Sequence, residues 1–552
     1  MIALNKEEQS NTEFETDNLN LSFDEIEDDN PPIESMEDDG DETHDINEMF
    51  ASIDYEADSA SSTVNEEESS PNETSESPSK MSPLKRLLNY TDAMNKIVSM
   101  DNKVYIGGYF YHRYEVHPVN SQFIEDYLTE KYYEDTGKSL SSSESKKWQR
   151  LFSAQARRSG NRSEIYCRTA KVADAYYLDI ADENGQAIKV DSSGWSFENT
   201  FNVSFVRGSS LLPTVTPEHD GSIELLRQFV RASDDDFTLL ISYLIECLRP
   251  DTPKPVLYIT GEAGSSKTTL MKIICELIDP SIQTVLSFPK EERDLMLAAR
   301  NSWLLAYDNL SKLSPMMSDA LCRISTGAGF RKRSNFKDSD EIIFKVRRPI
   351  ILSGISEFIS RQDLLDRCVF IQTLPMSSSN RKSESDFWSE FDAQKGQIMG
   401  ALLSAFSSAL THYEATEPSF QSRMMDFVKL GCALEAGLGW QTDTFKTAFQ
   451  NNRRDAMENS FEDDTVVQYI RETIGSSASW TGSSQELLDK IVQKHAKAKD
   501  IPKTPKGMSD RLRKVAGFLR ESGIDVVVPK QVTWSPEKKA SIRQIDISRI
   551  SN

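Results

Sequence analysis

Residues 255–269 read Pro-Val-Leu-Tyr-Ile-Thr-Gly-Glu-Ala-Gly-Ser-Ser-Lys-Thr-Thr, and the fold turns on how this stretch is read. Four apolar, β-prone residues, Val256 to Ile259, stop at Gly261. A small-residue loop follows, and Lys267, Thr268 and Thr269 then open the helical pattern LMKIICELI. Strand, glycine loop and helix in that order are the setting a phosphate-binding P-loop requires. Gly261 and Gly264 allow the backbone N–H groups of a loop running through Glu262, Ala263, Ser265 and Ser266 to turn inward around a phosphate. The Lys267 ammonium is expected to reach the β- and γ-phosphates of ATP, and the Thr268 hydroxyl to ligate Mg²⁺. The helix N-terminus adds partial positive charge where the anion sits. Ser266 stands where such loops usually carry glycine, so its backbone must accept a glycine-type dihedral. The bland alternative, a chance Gly/Ser turn before a helix, is weakened by the flanking strand and the Lys-Thr pair.

Two later strands supply matching pieces. Ser302 to Tyr307 is a buried-strand pattern ending in Asp308-Asn309, about 40 residues past Lys267. A strand-ending acid at this point suits a Walker B role, with Asp308 holding Mg²⁺ beside Thr268; a turn-capping aspartate is the structural alternative. Many hydrolytic ATPases place Glu next to that acid to polarise water. Asn309 can orient a water but cannot accept its proton, so either Asp308 or a nearby acid does more, or hydrolysis is slow. Pro349-Ile-Ile-Leu-Ser353-Gly is a third strand pattern whose terminal polar residue, Ser353, suits contact with the γ-phosphate or the attacking water. Arg361-Gln-Asp-Leu-Leu-Asp-Arg367 follows. An arginine here is placed as a finger reaching a neighbouring subunit's γ-phosphate, with Arg367 preferred and Arg361 second. Either side chain also has Asp363 and Asp366 within reach as an ion-pair partner.

The order P-loop, Asp-Asn Walker B, polar strand end and DLLDR, with the runs RDLMLAARNSWLLAYDNLSKLS, SDALCRISTGAGFRKRSNF and RRPIILSGIS, resembles the superfamily 3 helicase-like AAA+ ATPases of phages and other mobile elements, a group often joined to primases. The resemblance covers roughly residues 160–550, closest in the ATPase core. It implies a ring-forming, usually hexameric ATPase that moves on DNA during replication of a small genome. Family members commonly have Asn at the Ser353 position and Gly at the Ser266 position, and both departures bear on turnover more than on nucleotide binding. The resemblance also implies a channel hairpin within Thr326–Lys337. There Arg331, Lys332, Arg333 and Lys337 would hold the phosphate backbone of single-stranded DNA, and Phe336 would stack on a base. A solvated loop packed by its phenylalanines is the plainer account.

Outward from this core the chain changes character. Residues 222–249 have the pattern of amphipathic helices leading into the P-loop strand. Residues 81–215 read as a small α+β unit whose basic cluster, Arg157, Arg158, Arg162, Arg168 and Lys171, is either a nucleic-acid contact or a solvated face. Residues 1–80 hold 26 acidic side chains against Lys6 and Lys80, a charge of −24 that equals the whole chain's net charge. The remainder is therefore neutral, with 87−26=61 acidic and 63−2=61 basic residues. So acidic and polar a tail is expected to be disordered. Its apolar islands at Leu19–Phe23 and Ile46–Tyr55 are incidental or dock on a partner. Asn18-x-x-Leu21-x-Phe23 loosely resembles the peptide that binds bacterial sliding clamps, which would make that partner a replisome component, and a charge mimic competing for a basic channel is a third option.

On the C-terminal side, residues 381–460 read as a helical lid or collar. Residues 461–552 show three helical patterns and two strands, the make-up of a winged helix, with Trp480-Thr-Gly as a connector. On its third helix Leu512, Val515 and Leu519 are expected inward, and Arg511 and Lys514 outward against duplex DNA, with the wing lysines Lys538 and Lys539 on the backbone. Six scattered cysteines and no metal-ligand histidine spacing point to a reduced, cytoplasmic protein with no zinc site or disulfide framework. No signal peptide or membrane-length apolar run is read.

The fold class expected is therefore α/β, an AAA+ P-loop core at 216–380 between an α+β domain and a helical lid followed by a winged helix. The function expected is an ATP- and Mg²⁺-dependent, ring-forming DNA helicase or replication initiator. A nucleotide-gated binding switch that does not unwind DNA is the alternative, favoured by Asn309 and Ser353.

Overall fold

A computed structural model describes residues 81–199, 203–333, 341–344, 346–354, 359, 361–375, 382–461, 464–476, 479–495, 498, 500–529, 533–535, 540–542 and 544–550. The acidic stretch 1–80, with its expected disorder and docking motifs, lies outside them.

The chain first builds two small sheets. Helix α1 (Pro83–Tyr90), strands β1 (Asn95–Ser99), β2 (Val104–Phe110) and β3 (Arg113–Pro118), helices α2 (Gln122–Thr136) and α3 (Ser142–Ser159) and strand β4 (Asn161–Ser163) form the first unit, with strand order β3-β2-β1-β4. Strands β5 (Thr169–Val172), β6 (Ala175–Asp179), β7 (Gln186–Asp191) and β8 (Gly194–Asn199) form an antiparallel meander. Arg168, which the sequence groups with a surface cluster, is fully buried. Its guanidinium donates to Asp279 at 2.9 Å and to the carbonyls of Asp179, Leu212 and Pro280. Lys171 pairs with Asp251 at 2.7 Å. Arg168 is a structural tie, because a buried guanidinium is tolerated only when its donors are met.

The central layer is a five-stranded parallel sheet. Its elements are α4 (Asp234–Glu246), β9 (Val256–Thr260), α5 (Lys267–Ile278), β10 (Leu286–Ser287), α6 (Glu292–Asn301), β11 (Leu305–Leu310), α7 (Pro315–Thr326), the antiparallel pair β12 (Phe330–Arg333) and β13 (Glu341–Phe344), β14 (Ile350–Gly354), α8 (Gln362–Leu365) and β15 (Cys368–Gln372). The strand order is β10-β11-β14-β9-β15. Interior strands β9 and β14 are buried on both faces, as their unbroken apolar runs require. Leu257, Ile259, Ile351 and Val369 pack on one face against α4 and α5. Val256, Tyr258, Leu305, Tyr307 and Leu352 pack on the other against α6 and α7. Of the two helices expected in 222–249, the first is only a 3₁₀ turn, Ile223–Gln228. The second is α4, capped by Ser233 and buried around almost its whole circumference.

Helices α9 (Glu384–Tyr413), α10 (Met425–Leu438) and α11 (Thr444–Phe461) extend the first core face. Asn452 of α11 covers the edge of β15, donating to Phe370 O at 2.5 Å and accepting from Phe370 N at 3.0 Å. The C-terminal region contains α12 (Thr465–Ser476), β16 (Ser479–Ser483), α13 (Ser484–Lys494), α14 (Pro505–Glu521), β17 (Ile524–Val527), a β18 (Thr533–Ser535)–β19 (Ala540–Ile542) pair and β20 (Gln544–Arg549). The expected Trp480-Thr-Gly connector is a strand: β16 pairs with β20, Trp480 opposite Ile547, giving the sheet β16-β20-β17. Among the described residues no helix is long and apolar enough to cross a membrane.

Candidate nucleotide-binding site

The loop from Gly261 to Ser266 joins the C-terminal end of β9 to the first residue of α5. In a parallel sheet this edge, where strands end and helix N-termini begin, is where anionic ligands are received. Gly264 has φ +76° and Ser266 sits at φ +67°, ψ +27°, so the serine adopts the left-handed conformation its position demands. That conformation costs an L-residue about 1–2 kcal/mol. The Lys267 ammonium folds back over the loop, donating to Gly261 O and Glu262 O, each at 2.8 Å.

Three strand ends meet beside it. The Thr268 hydroxyl donates to Asp308 Oδ2 at 2.5 Å, and the fully buried Ser353 hydroxyl donates to Asp308 Oδ1. The Asn309 backbone N–H adds a 2.8 Å bond to the same oxygen. Burial opposes ionisation of Asp308. The hydrogen bonds from Ser353, Thr268 and Asn309 N–H, with the charge of Lys267, outweigh it and hold the carboxyl below the usual carboxylate range. The structure thus brings Lys267, Thr268, Asp308 and Ser353 together from segments up to 86 positions apart (353−267). A hydroxyl and a single carboxylate are hard oxygen donors of the kind Mg²⁺ takes when phosphates and water complete its shell, so the site fits that ion. Asn309 is exposed and has φ +57°, at an irregularity in the β11–β14 register between Tyr307 and Leu310. Asparagine is among the few residue types that take this backbone readily.

Thr373, just past β15, is a site residue that sequence reasoning missed. Its hydroxyl donates to Thr260 O at 2.9 Å and shares a 2.7 Å bond with the buried Ser265 Oγ, which also bonds Glu262 O at 2.8 Å. These bonds tie the loop to the edge strand. A cleft of about 670 Å³ opens alongside, lined by Gly261, Glu262, Gln372, Asp236 of α4 and Asn451 and Asn452 of α11. Asp236 accepts from Gln372 N at 3.2 Å, and burial pushes its carboxyl up to about 6 against that bond. Nothing in the local pattern of Thr373 or Asp236 marks either residue. The bonds that bring them to the loop and the edge strand come from partners more than 100 positions away.

The finger candidates are placed differently. Arg367, the sequence's first choice, donates to Asp363 O at 2.5 Å and pairs with the Asp363 carboxylate at 2.8 Å, leaving 17 % of its side chain exposed. Arg423 also holds Asp363. Arg361 pairs with Asp319 at 2.8 Å but keeps 44 % of its side chain exposed. For the hairpin, β12 and β13 pair in the register Arg331↔Ile343, Lys332↔Ile342 and Arg333↔Glu341. Phe336 and Lys337 lie outside the described residues, as do Lys538 and Lys539. On α14, Leu512, Val515 and Leu519 are buried and Lys514 is exposed. Arg511, expected outward, is instead half-buried and ion-paired to Asp464. Asp464 is buried at the start of α12, and a buried carboxylate left without a cation would be costly, so Arg511 turns to it.

The fold and loop geometry define a mixed α/β protein whose parallel sheet presents a phosphate-type loop with an acid and a hydroxyl at neighbouring strand ends. Within that class, residues 223–455 match the family described as Actinomycete integrative conjugative element replication protein, and residues 465–552 match the AICE RepA C-terminal domain. The chain is thus similar to a replication protein of integrative conjugative elements along both its central and its C-terminal region. No curated protein sequence matches it. Among solved structures, the apo NrS-1 C-terminal region is 12 % identical with a TM-score of 0.40, covering 85 % of this chain and 100 % of that one. The structure titled "SCCmec type IV Cch - active helicase" is 11 % identical with a TM-score of 0.45, covering 82 % and 92 %. Likeness at this level leaves function to the site itself.

Proposed function

We propose that the chain is an ATP-driven motor of DNA replication in a mobile element, an AAA+ ATPase of the superfamily 3 type working as a ring, usually hexameric, with nucleotide between neighbouring copies. The observation that carries this reading is the meeting of Thr268, from the first turn of α5, with Asp308 and Ser353 on adjoining strands beside Lys267. The replication-protein match of residues 223–455 agrees with it.

In this reading the loop N–H groups and the α5 N-terminus bind the phosphates of ATP. Lys267 exchanges two loop carbonyls for phosphate oxygens, a stronger charge-assisted pairing. Thr268 and Asp308 would hold Mg²⁺, which would supply neutralisation of charge on those oxygens. Ser353 fixes the Asp308 carboxylate, and Asn309 orients water. Arg361 is the better-exposed finger, and Arg367 serves only if Asp363 releases it. The β12–β13 pair carries Arg331, Lys332 and Arg333, with Phe336 and Lys337, into the channel against single-stranded DNA. The C-terminal region acts as a winged helix, meeting duplex DNA through Lys514, Lys538 and Lys539. Residues 1–80 meet a replisome partner, and the protein works in the cytoplasm.

Asn309 favours a second reading, a nucleotide-gated switch, because a carboxamide beside Asp308 takes no proton from water. Steady-state ATP turnover with and without single-stranded DNA, alongside a strand-separation assay, tests the proposal. DNA-stimulated turnover with strand separation supports the motor. Tight ATP binding with negligible turnover and no separation overturns it in favour of the switch.

A further inference from the structure

Neither residue at the end of β11 suits the proton that hydrolysis must remove from water. Asn309 is a carboxamide, and Asp308, despite its burial, is held ionised by Ser353, Thr268 and the Asn309 N–H. In-line attack approaches the γ-phosphate from the side opposite the leaving oxygen. The loop and the start of α5 enclose the leaving-group side, so the open side is the one a neighbouring copy meets with Arg361. Three carboxylates stand on α7 and around α8. Asp363 pairs with Arg367 at 2.8 Å and with Arg423. Burial opposes its ionisation, but the bonds from Arg367, Arg423 and the Cys322 thiol bring the carboxyl down to about 2, which makes it a weak base. Asp366 is held by Arg453 at 3.2 Å, with Arg423 at 3.8 Å. Asp319 differs from both. Its ion-pair partner is Arg361, at 2.8 Å, and 43 % of its side chain is exposed. It stands one turn into α7, whose Met317, Ala320 and Leu321 face inward. A guanidinium carries donors on more than one edge, so Arg361 can keep Asp319 on one edge and meet a phosphate with another. Wherever Arg361 reaches a neighbour's γ-phosphate, Asp319 arrives beside it.

We propose that Asp319 is the general base of ATP hydrolysis, delivered with Arg361 to the nucleotide held by the adjoining copy. The assignment rests on the reading of the chain as a ring with ATP between neighbours. In the step, a water oxygen bonds to the γ-phosphorus while the bond from that phosphorus to the bridging oxygen breaks, and its electron pair leaves with ADP. The water proton passes to an Asp319 carboxylate oxygen and goes to solvent once phosphate has departed. Asn309 and Asp319 thereby divide what one glutamate does elsewhere: the carboxamide orients the water from one copy, and the carboxylate takes its proton from the next.

The test uses the full-length chain, with turnover read as phosphate release and affinity read with a fluorescent ATP analogue. Asp319→Asn keeps the shape of the side chain, and an exposed ion pair adds little to stability, so the melting temperature is expected to hold. Turnover is expected to fall by about 100-fold at unaltered ATP affinity. Lys267→Ala is expected to lose its own ATP but still carries Arg361 and Asp319. Mixed in excess with Asp319→Asn, it should restore turnover, because the neighbour then supplies the carboxylate. Wild-type turnover in Asp319→Asn overturns the proposal. So does a mixture that stays inactive, which would confine the effect of Asp319 to its own subunit. Arg361→Ala separates the proposal from the reading beneath it. Turnover lost in Arg361→Ala but kept in Asp319→Asn removes the base alone. Turnover kept in both variants removes the finger as well, and an unaltered chain without turnover removes the motor reading itself.

Discussion

A methyl group added at Gly261 probes the loop most directly. Gly261 has φ +144°, a region in which an L-residue costs about 1–3 kcal/mol. The added Cβ would lie 2.3 Å from Thr373 Oγ1, 2.5 Å from Ser265 Oγ and 2.8 Å from Thr373 O. Making room separates the two hydroxyls, whose mutual bond is 2.7 Å long. A buried polar group that loses a partner costs about 1–3 kcal/mol. Here the low end applies, since Ser265 retains Glu262 O and Thr373 retains Thr260 O. The sum is about 2–4 kcal/mol, and the loop can relieve it by moving away from β15 while the sheet stays intact. Gly261→Ala is therefore expected to lower ATP affinity by about 30-fold to about 700-fold. If the loop absorbs the strain, the melting temperature falls by only a few degrees. Titration of a fluorescent ATP analogue beside a thermal melt measures both quantities. Wild-type affinity in Gly261→Ala would refute the claim that the Ser265–Thr373 tie positions the loop.

Asp308→Asn keeps the shape of the strand end but removes the charge, so Mg²⁺-dependent turnover should fall by at least about 100-fold; magnesium titration of the turnover rate checks this. Arg361→Ala is expected to stop turnover while leaving ATP affinity unchanged, and Arg367→Ala to lower the melting temperature through loss of the Asp363 pair; the reverse pattern in turnover and melting would make Arg367 the finger. Asp236, raised from 3.8 to about 6 by burial, binds its proton more tightly folded than unfolded. Its contribution to stability is present below pH 3.8 and is lost as pH rises through about 6. Melting temperatures between pH 4 and 6 should therefore carry a downward term in the wild type that Asp236→Asn lacks, and equal pH slopes in the two proteins would dispose of it.

What could be read in advance was whatever leaves a local trace. The runs Val256–Ile259 and Ile350–Leu352 are strands buried on both faces, and such strands announce themselves as short unbroken apolar stretches. The left-handed backbone at Ser266 follows from the loop pattern itself. Thr373 was out of reach because a threonine after a strand is ordinary until the fold sets it against Ser265, 108 positions earlier. Arg511 misled for the opposite reason. Its helical position implies an outward face, and only the tertiary arrangement supplies Asp464 as a partner 47 residues away. Trp480-Thr-Gly looked like a connector because one glycine outweighed a short strand pattern, whereas pairing with β20 decides the matter non-locally.

The replacement of an acid by Asn309 acquires a physical reason from the backbone. At φ +57° an asparagine is comfortable and a glutamate is not, so residue type and local geometry there are coupled. The same irregularity in β11 turns the Asn309 N–H onto Asp308 Oδ1, the oxygen that Ser353 also holds. Asp308 is thereby kept ionised and fixed, which suits a metal ligand and makes it a poor proton acceptor, since a depressed pKa means a weak base. If the chain turns ATP over quickly, the group that takes the proton from water is therefore neither Asn309 nor Asp308. It must come from elsewhere around the cleft or from a neighbouring copy, and the two readings of this site differ on whether such a group is delivered.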